Sequence, residues 1–490
     1  MSGNENDSDL IKARYDNLKT LCERGIYPYE GDVCVTHKCK TVVGQVDSLE
    51  EKQVTVAGRI MAIRSHGKVK FMDLVDRSGK VQLYFSEDEL GEETYEITDL
   101  VDIGDHLSVN GRPFRTRTEE PTIWVGEFDV ISKCLHPLPE KWHGLRDEDL
   151  RYRKRYVDMI INEDAKRTLI ARSKTVTHMR MFLQERGFLE VETPVMSALA
   201  GGAAARPFVT HHNALDMKLY LRIATELYLK RFIVGGFERV FEIGRVFRNE
   251  GISTQHNPEY TLLELYQAYS DYEGMMELTE EMVSYLAEAV TGETKIKFDD
   301  NEIDLSPPWR RLTIVDALAE HGVDVTAWNS DADAHREAER LDISVQPGIT
   351  KGKVMEKLLD RLVLPELIQP TFLIDYPVDI SPLAKRKNDD PEFTYRFEPV
   401  IGQMEIGNAF SEINDPEEQR QRFEQQLKQR ELGDEEAHVM DEDFIAALEY
   451  GMPPTGGLGI GVDRLAMLLT DSPSIREVIP FPLLRPLDEE

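Results

Sequence analysis

The stretch FRNEGISTQHNPEY, residues 247–260, gathers several chemically active side chains in one turn-rich segment. They are a cation, an acid, an imidazole and an aromatic ring, at Arg248, Glu250, His256 and Tyr260. A guanidinium can bridge a carboxylate and a phosphate, an aromatic face can stack on a base, and an acid can accept from an exocyclic amine. This set suits the adenylylation of a carboxylate by ATP. A plain surface hairpin is the alternative interpretation, because Arg, Asn, Glu and Gly are ordinary loop residues.

Three glutamates stand seven residues apart, at Glu398, Glu405 and Glu412. Proline and glycines between them make a helix improbable and favour two strands folded at the dipeptide GQ. Carboxylates on neighbouring strands repel one another unless a cation lies between them, and such ligands suit Mg²⁺ carrying nucleotide phosphates. A solvated acidic strand pair is the alternative. The apolar neighbours Ile406 and Phe410 weigh against it, since unpaired acids beside them would be costly.

The segment GGLGIGVDRLAMLL, residues 456–469, passes from a glycine-rich extended run into an amphipathic helix. Asp463 is a natural N-cap for that helix, which puts Arg464 in the first turn, where anions can approach. No Gly-x-Gly-x-x-Gly spacing fits the segment, so it is not a dinucleotide fingerprint. Tight backbone packing is the alternative reason for the glycines.

The bulk properties bound the class of protein. A chain of 490 residues is too long for one compact core and predicts about two or three domains. Its net charge of −32 repels phosphate at long range, so a polynucleotide partner must be met at locally basic or aromatic surfaces. No run approaches the roughly 18 to 20 apolar residues that span a bilayer, and MSGNENDSDL lacks the apolar core of a secretory signal. We therefore expect a cytoplasmic protein without a membrane segment, whose four cysteines are reduced thiols.

The periodicity of the chain indicates its elements. Residues 8–24 read as an amphipathic helix ended by Gly25, and five alternating runs over the next part of the chain predict a small closed barrel, a fold that often binds oligonucleotides. Residues 135–149 read as a linker, followed by a long helix closed by Gly187. Extended segments far apart in the remaining sequence predict a mostly antiparallel sheet assembled non-locally, and residues 320–370 look helical and acidic.

These motifs together resemble the class II aminoacyl-tRNA synthetases, and within them the lysyl-tRNA synthetases. GFLEVETPVM is similar to the first motif of that family, a dimer-interface segment ending at Pro194, and the two segments at 247–260 and 456–469 are similar to the second and third. GGAAARPFVTHHNALD and PLPEKWHGL resemble the lysyl branch in particular. The implied fold is α+β, with a helical extension at 1–50, a five-stranded OB-type anticodon-binding barrel at 51–135, a linker at 136–160, and a catalytic domain with a mixed, mostly antiparallel sheet flanked by helices at 161–490.

The resemblance implies a cytoplasmic homodimer that activates L-lysine with ATP to lysyl-adenylate and transfers the lysine to the 3′ end of tRNA(Lys). Arg248 and Arg464 would be catalytic, with Arg248 on the lysine carboxylate and the α-phosphate and Arg464 on the γ-phosphate. Glu250 and His256 would contact the nucleotide, and Tyr260 would stack on adenine.

The resemblance also assigns the amino-acid pocket. The Gly202 backbone and Glu226 would receive the α-ammonium group of lysine, whereas Tyr266 and Glu412 would receive the ε-ammonium group, with Asn408 nearby. Glu398 and Glu405 would ligate Mg²⁺ on the triphosphate. The residues that resemble the anticodon readers of the family are Arg59, Phe71, Gln82 and Glu127.

Charge agrees with a lysyl assignment, because an acid at position 412 suits an ammonium group, whereas an aspartate-handling relative would need a cation there. Three rivals stay open: a paralogue that lysylates a protein, an aspartate or asparagine relative, and a catalytically silent nucleic-acid-binding protein. The sequence departs from the family pattern at three positions: Gln255 stands where many relatives carry arginine, Thr225 where proline is common, and Tyr260 where phenylalanine is usual.

Overall fold

The computed structural model describes residues 5–139, 147–199, 201–346, 348–431 and 437–486. The chain divides into two compact units, Met1–Arg146 and Asp147–Glu490. Most of the PLPEKWHGL stretch, and with it the middle of the expected linker, lies outside the described residues. No helix among the described residues is both long and apolar enough to cross a membrane.

The first unit is the predicted five-stranded barrel. Its strands close in the order β1-β2-β3-β5-β4, and all neighbouring pairs are antiparallel except β3 with β5. The strands are β1 Val54–His66, β2 Val69–Asp76, β3 Gly79–Ser86, β4 His106–Arg115 and β5 Pro121–Ser132. The helices are α1 Glu5–Glu23, α2 Cys39–Gly44, α3 Val46–Leu49, α4 Glu87–Leu90 and α5 Glu92–Ile97. Alternate side chains such as Val54, Val56 and Leu83 fill the barrel because successive strand residues point to opposite faces.

The second unit contains a nine-stranded sheet. Its order is β14-β15-β16-β18-β19-β11-β10-β6, with β17 paired to β16. Among the described pairs of this sheet, only β14 with β15 and β10 with β6 are parallel. The strands of this unit are β6 Leu189–Glu190, β7 Met196–Ser197, β8 Val209–His212, β9 Met217–Leu221, β10 Arg239–Phe247, β11 Glu259–Ala268, β12 Lys295–Phe298, β13 Asn301–Asp304, β14 Arg310–Thr313, β15 Thr371–Ile374, β16 Arg396–Ile401, β17 Met404–Glu405, β18 Gly407–Ser411 and β19 Thr455–Gly461.

The placement of β11 between β10 and β19 confirms the predicted non-local, mostly antiparallel sheet. The helices of this unit are α6 Glu148–Arg153, α7 Arg155–Ile161, α8 Glu163–Glu185, α9 Glu226–Val234, α10 Tyr272–Thr291, α11 Ile314–Glu320, α12 Asp331–Arg340, α13 Lys351–Leu358, α14 Pro416–Glu431, α15 Glu442–Glu449, α16 Val462–Leu469 and α17 Ile475–Val478. Helices α6 and α7 occupy the second part of the segment expected to be a linker, where buried Arg155 pairs with Asp158.

Helices α8, α10 and α16 cover one face of the large sheet. Leu263 and Leu265 of β11 and Ile460 of β19 are fully buried with them in one core. The alternate residues of the same strands point away from these helices, because the side chains of a strand alternate between its two faces. The helical layer therefore leaves the opposite face of the sheet available for a site.

The predicted N-cap role of Asp463 is wrong. Helix α16 begins at Val462 with Gly461 in the cap position, and the Asp463 side chain does not cap it. One carboxylate oxygen of Asp463 accepts from the backbone N–H of Thr261 at 2.7 Å, and the other accepts from the Arg172 guanidinium at 2.7 Å. Asp463 is thus used to join α8, β11 and α16, an interaction between distant segments that outweighs the local preference for a cap.

Replacing Arg172 with leucine should lower the free energy of unfolding by about 3 kcal/mol, because it leaves the buried Asp463 carboxylate without its counter-ion. The side chains of this pair are 15% and 1% exposed. The matched control is Arg167→Leu on the same helix, whose partner Asp164 lies on the surface and whose loss should change stability by less than about 1 kcal/mol. Equal effects of the two changes in urea unfolding would contradict this account of Asp463.

Candidate active site

A cavity of about 400 Å³ lies on the open face of the large sheet. All of the residues predicted for catalysis, amino-acid binding, nucleotide binding and metal binding line it. They are Gly202, Glu226, Arg248, Glu250, His256, Tyr260, Tyr266, Glu398, Glu405, Asn408, Glu412 and Arg464. The structure therefore brings into one place residues that are scattered over more than half of the sequence.

Alternation along the strands explains why these residues meet. Tyr260, Glu264 and Tyr266 of β11 line the cavity, whereas the intervening Leu263 and Leu265 are buried in the helix-covered core. Asn408 and Phe410 of β18 likewise flank the core residue Ala409. The side chains on one face of each strand therefore pack in the core, and those on the other face line the cavity.

Two glycines leave space for a ligand at the closed end of the cavity. A Cβ atom on Gly457 would lie 2.6 Å from the Tyr266 ring and would overlap a carboxylate oxygen of Glu412. Gly202 has a backbone φ of +88°, a conformation that residues with a side chain rarely adopt. A Cβ atom there would lie 3.2 Å from the Cβ atoms of Ala224 and Glu226. The backbone at both positions can therefore approach a ligand closely.

Two arginines lie at the other end of the cavity. The Arg248 guanidinium carbon lies 5.5 Å from the centre of the Tyr260 ring, and its buried Nε atom has no hydrogen-bond partner among the described residues. Arg464 Nη1 donates to the backbone carbonyl of Glu405 at 2.5 Å, and Nη2 lies 3.1 Å from His256 Nε2. Burial, and then the Arg464 cation, lowers the pKa of His256. A neutral imidazole that accepts from Arg464 at Nε2 follows, because a guanidinium can only donate.

Glu398 and Glu405 lie on the predicted hairpin. Strands β16 and β17 pair around Gly402 and Gln403, whose φ angles of +59° and +64° suit a two-residue turn. Val400 lies opposite Glu405, so Glu398, two residues earlier, shares a face with Glu405. Burial, and then the charge of Glu405, raises the pKa of Glu398.

The neighbours of Glu398 bear on metal binding. Its two oxygens accept from Arg396 Nη2 at 2.6 Å and from the Tyr376 hydroxyl at 2.7 Å. No group of three or more His, Cys, Asp or Glu side chains among the described residues is arranged to hold a metal ion. Magnesium commonly binds through one or two carboxylates plus substrate phosphates and water. Two glutamates on one face fit that mode, whereas they do not form a complete protein cage.

The closed end of the cavity is strongly acidic and contains one buried cation. Glu412 is 1% exposed, and burial raises its pKa while the Lys230 ammonium opposes that rise. Lys230 Nζ lies 2.5 Å from Glu226 Oε1 and contacts Glu412 Oε2. Neither Glu412 oxygen makes a hydrogen bond among the described residues, but the ion pair with Lys230 holds Oε2 and leaves Oε1 without a partner there. This oxygen is a ready acceptor for a cationic group that enters from the cavity.

Sequence reasoning missed four charged residues in or against the cavity, Lys230, Glu264, Glu356 and Arg396. Glu264 is 5% exposed, accepts from the Thr225 N–H at 3.1 Å, and lies 3.3 Å from the Tyr266 hydroxyl. Burial, and then the charge of Glu226, raises the pKa of Glu264 to about 7. Its signal in the sequence was a lone acid inside the apolar strand TLLELY, two residues before Tyr266.

The four predicted anticodon readers lie on the barrel. Phe71 is on β2 and Gln82 is on the neighbouring strand β3, two residues from Tyr84, which lies opposite Phe71. The Phe71 ring centre is 5.2 Å from that of Tyr84, so the outer face here carries aromatic rings. Arg59 on β1 donates to the Gly104 carbonyl at 2.7 Å, and Glu127 is exposed on β5. Phe71 and Gln82 therefore share one surface, whereas the other two readers lie on β1 and β5.

Comparisons with known proteins show the family to which the chain is similar. Residues 147–485 match the family model described as tRNA synthetases class II (D, K and N), and residues 54–131 match the OB-fold nucleic acid binding domain. The chain is 55% identical to the lysine–tRNA ligase of Moorella thermoacetica over 486 residues, 99% of both proteins. It is 54% identical to that of Carboxydothermus hydrogenoformans over 98% of this chain and 99% of the relative. It is 53% identical to that of Clostridium tetani, over 99% and 98%.

Glu264→Gln should become more stable relative to the wild type as the pH rises. The folded-state pKa of Glu264, about 7, lies above the usual value for an unfolded chain, so the folded wild type holds a proton that it loses as the pH rises through 7. A glutamine cannot lose that proton, and its advantage should grow by roughly 3 kcal/mol between pH 4.5 and pH 8. The control is Glu259→Gln, an exposed position on the same strand. Parallel unfolding profiles for Glu264→Gln and wild type would refute the titration of Glu264.

Proposed function

The chain belongs to the class II tRNA synthetases (D, K and N), and we propose that its cavity carries out the lysine activation of a lysine–tRNA ligase. The enzyme joins L-lysine to ATP as lysyl-adenylate and transfers the lysyl group to the 3′ end of tRNA(Lys). One observation carries the choice of amino acid: the unpartnered oxygen of the buried Glu412 at the closed end of the cavity. A long side chain that ends in an ammonium group satisfies it.

Lysine would lie between the acidic end and the arginine end of the cavity. Its ε-ammonium group would donate to Glu412 Oε1 beside Tyr266, with Asn408 nearby on β18, the strand that precedes Glu412. Its α-ammonium group would face Glu226 and the Gly202 backbone. A neutral analogue of the same length would leave Glu412 Oε1 buried without a partner, which costs more than a lost apolar contact. An aspartate side chain would be repelled by the same carboxylate.

Adenylation requires two anions to meet, and the arginines supply the compensating charge. Arg248 would bind the lysine carboxylate and the α-phosphate, while Tyr260 stacks on adenine and Glu250 and His256 contact the nucleotide. The lysine carboxylate oxygen attacks the α-phosphorus, and the bond to the β-phosphate bridging oxygen breaks as pyrophosphate leaves. Arg464 would hold the γ-phosphate of the departing group. Positioning and charge neutralisation account for the rate with little need for a protein base.

Glu398 and Glu405 would hold Mg²⁺ against the triphosphate. When bound there, magnesium neutralises negative charge on the phosphate oxygens. Arg396 and Tyr376 keep the Glu398 carboxylate in place. In the second step, the terminal hydroxyl of the tRNA attacks the carbonyl carbon of the mixed anhydride and AMP leaves.

The barrel would bind the anticodon, with Phe71 as a stacking platform and Gln82, Arg59 and Glu127 as polar readers. We also propose that the chain acts in the cytoplasm as a homodimer. Apolar side chains are exposed in and after the segment similar to the first family motif, at Leu189, Val195 and Met196. A second copy of the chain would cover them. A monomeric mass in solution at micromolar concentration would overturn the dimer proposal.

Arg248→Ala should reduce lysine-dependent pyrophosphate exchange by roughly 10³-fold, because it removes the cation that brings the two anions together. The fold should survive, since Arg248 lies at the cavity rather than in the core. The matched control is Arg245→Ala, whose side chain lies 3.7 Å from Glu259 on the surface and should leave exchange within about twofold of wild type. Near-normal exchange by Arg248→Ala would refute the role given to this residue.

Phe71→Ala should raise the KM for tRNA(Lys) in aminoacylation by about 10- to 100-fold, because stacking contributes about 1–3 kcal/mol per base. Pyrophosphate exchange should not change, since that reaction uses only the cavity of the second unit. Ile103→Ala, at an exposed apolar position of the first unit, is the control and should alter neither reaction. An unchanged KM for tRNA in Phe71→Ala would remove Phe71 from the anticodon site.

A further inference from the structure

Lys230 is a buried cation beside the proposed lysine pocket. It lies on α9 one turn after Glu226, and its side chain is fully buried. Its ammonium group contacts both Glu226 and Glu412, yet Lys230 is not among the described residues that line the cavity. It therefore lies behind the two carboxylates, on the side away from an incoming substrate.

The surroundings of Lys230 hold its ammonium group in a fixed place. Three aromatic rings lie around it, with centres 5.4 Å away for Phe410, 5.8 Å for Phe444 and 6.0 Å for Tyr266. The titratable and charged groups that interact with it or with its partners are Glu226, Glu264, Tyr266, Arg396, Glu412 and His438. Only the two glutamates in contact with Lys230 offer it a negative partner at ion-pair distance among the described residues.

We propose that Lys230 is a positioning residue for the selection of lysine: its ammonium group fixes Glu226 and Glu412 side by side and directs Glu412 Oε1 into the cavity. The inference rests on the proposed function, because it concerns how that site recognises its amino acid. Glu412 is held at Oε2 by Lys230 and left unpaired at Oε1. One carboxylate thus serves two ammonium groups, the fixed one of the protein and the exchangeable one of the substrate.

Charge balance explains why a cation is needed at this place. The closed end contains three buried carboxylates, Glu226, Glu264 and Glu412, and the single ammonium group of Lys230. When Glu226 and Glu412 are ionised, Lys230 balances one of their two negative charges, and the other is left for a cationic group of the substrate. Without Lys230, the carboxylates would repel one another and take up protons, since burial already disfavours their charged forms. Lysine would then have to displace those protons in order to bind.

A purely structural role does not account for the contact. A buried ion pair seldom adds stability over apolar residues of similar size, and methionine would fill the space among three aromatic rings equally well. The arrangement stabilises ionised carboxylates at the cavity wall, which an apolar side chain cannot do.

The first test compares wild type with Lys230→Met in lysine-dependent pyrophosphate exchange. At pH 6.5 the KM for lysine should rise at least tenfold, whereas the KM for ATP should stay within about twofold of wild type. The ratio of variant to wild-type lysine KM should fall as the pH rises to 8.5, because the glutamates then lose their protons without help. The control is Arg231→Met, the next residue on the helix, which pairs with Asp441 and Asp443 near the surface.

A lysine KM within twofold of wild type, or an increase that is the same at pH 6.5 and pH 8.5, would overturn the proposal. Either result requires an active wild type, so it leaves the proposed function intact. Conversely, a wild type without lysine-dependent exchange would refute the proposed function itself.

A second measurement does not depend on the folding of the variant. In a crystal structure of the wild type with L-lysine, Lys230 should stay in contact with Glu412 Oε2 while the substrate ε-ammonium group binds Oε1. A structure in which the substrate displaces Lys230 from Glu412 would show competition instead of positioning and would overturn the proposal.

Discussion

The selectivity proposed for this site depends on one carboxylate buried at the closed end of the cavity. Lys230 holds one oxygen of Glu412, and the other oxygen is free. Glu412 is 1% exposed, so bulk water does not balance the charge on its free oxygen, whereas a cationic ligand that enters the cavity can. The two arginines at the opposite end of the cavity attract anions. A molecule with a cation at one end and a carboxylate at the other fits both, and its carboxylate then lies where phosphate is expected.

The sheet makes this arrangement possible because its core-packing side chains and its cavity-lining side chains lie on opposite faces. Strands β11, β18 and β19 bury one set of alternate side chains beneath helices and present the other set to the cavity. Because Gly457 has no side chain, the strand leaves room for the Glu412 carboxylate, which a Cβ atom there would overlap. The Arg172–Asp463 pair joins α8 to the helix that carries Arg464, so the position of Arg464 is set from the core side.

Much of the fold follows from local pattern, whereas the electrostatic partners do not. Alternating runs predicted the barrel strands, and the proline and glycines around Glu398 predicted the hairpin, because both depend on residues close in sequence. Lys230 carries no local signal of its role, because its partner Glu412 lies in a distant segment after β18. The prediction that Asp463 caps α16 was wrong because its partners, Arg172 and Thr261, also lie far away in the sequence. The motif residues could be placed in one site only through resemblance, since spacing alone does not reveal which strands become neighbours.

The most direct measurement of the central claim is the exchange rate with L-lysine against the rate with L-2-aminohexanoic acid, which has the same chain without the ε-ammonium group. The wild type should favour lysine by at least about 10³-fold in kcat/KM, and Glu412→Gln should lose most of this preference. The same preference in wild type and Glu412→Gln would contradict the claim that the buried carboxylate selects the substrate.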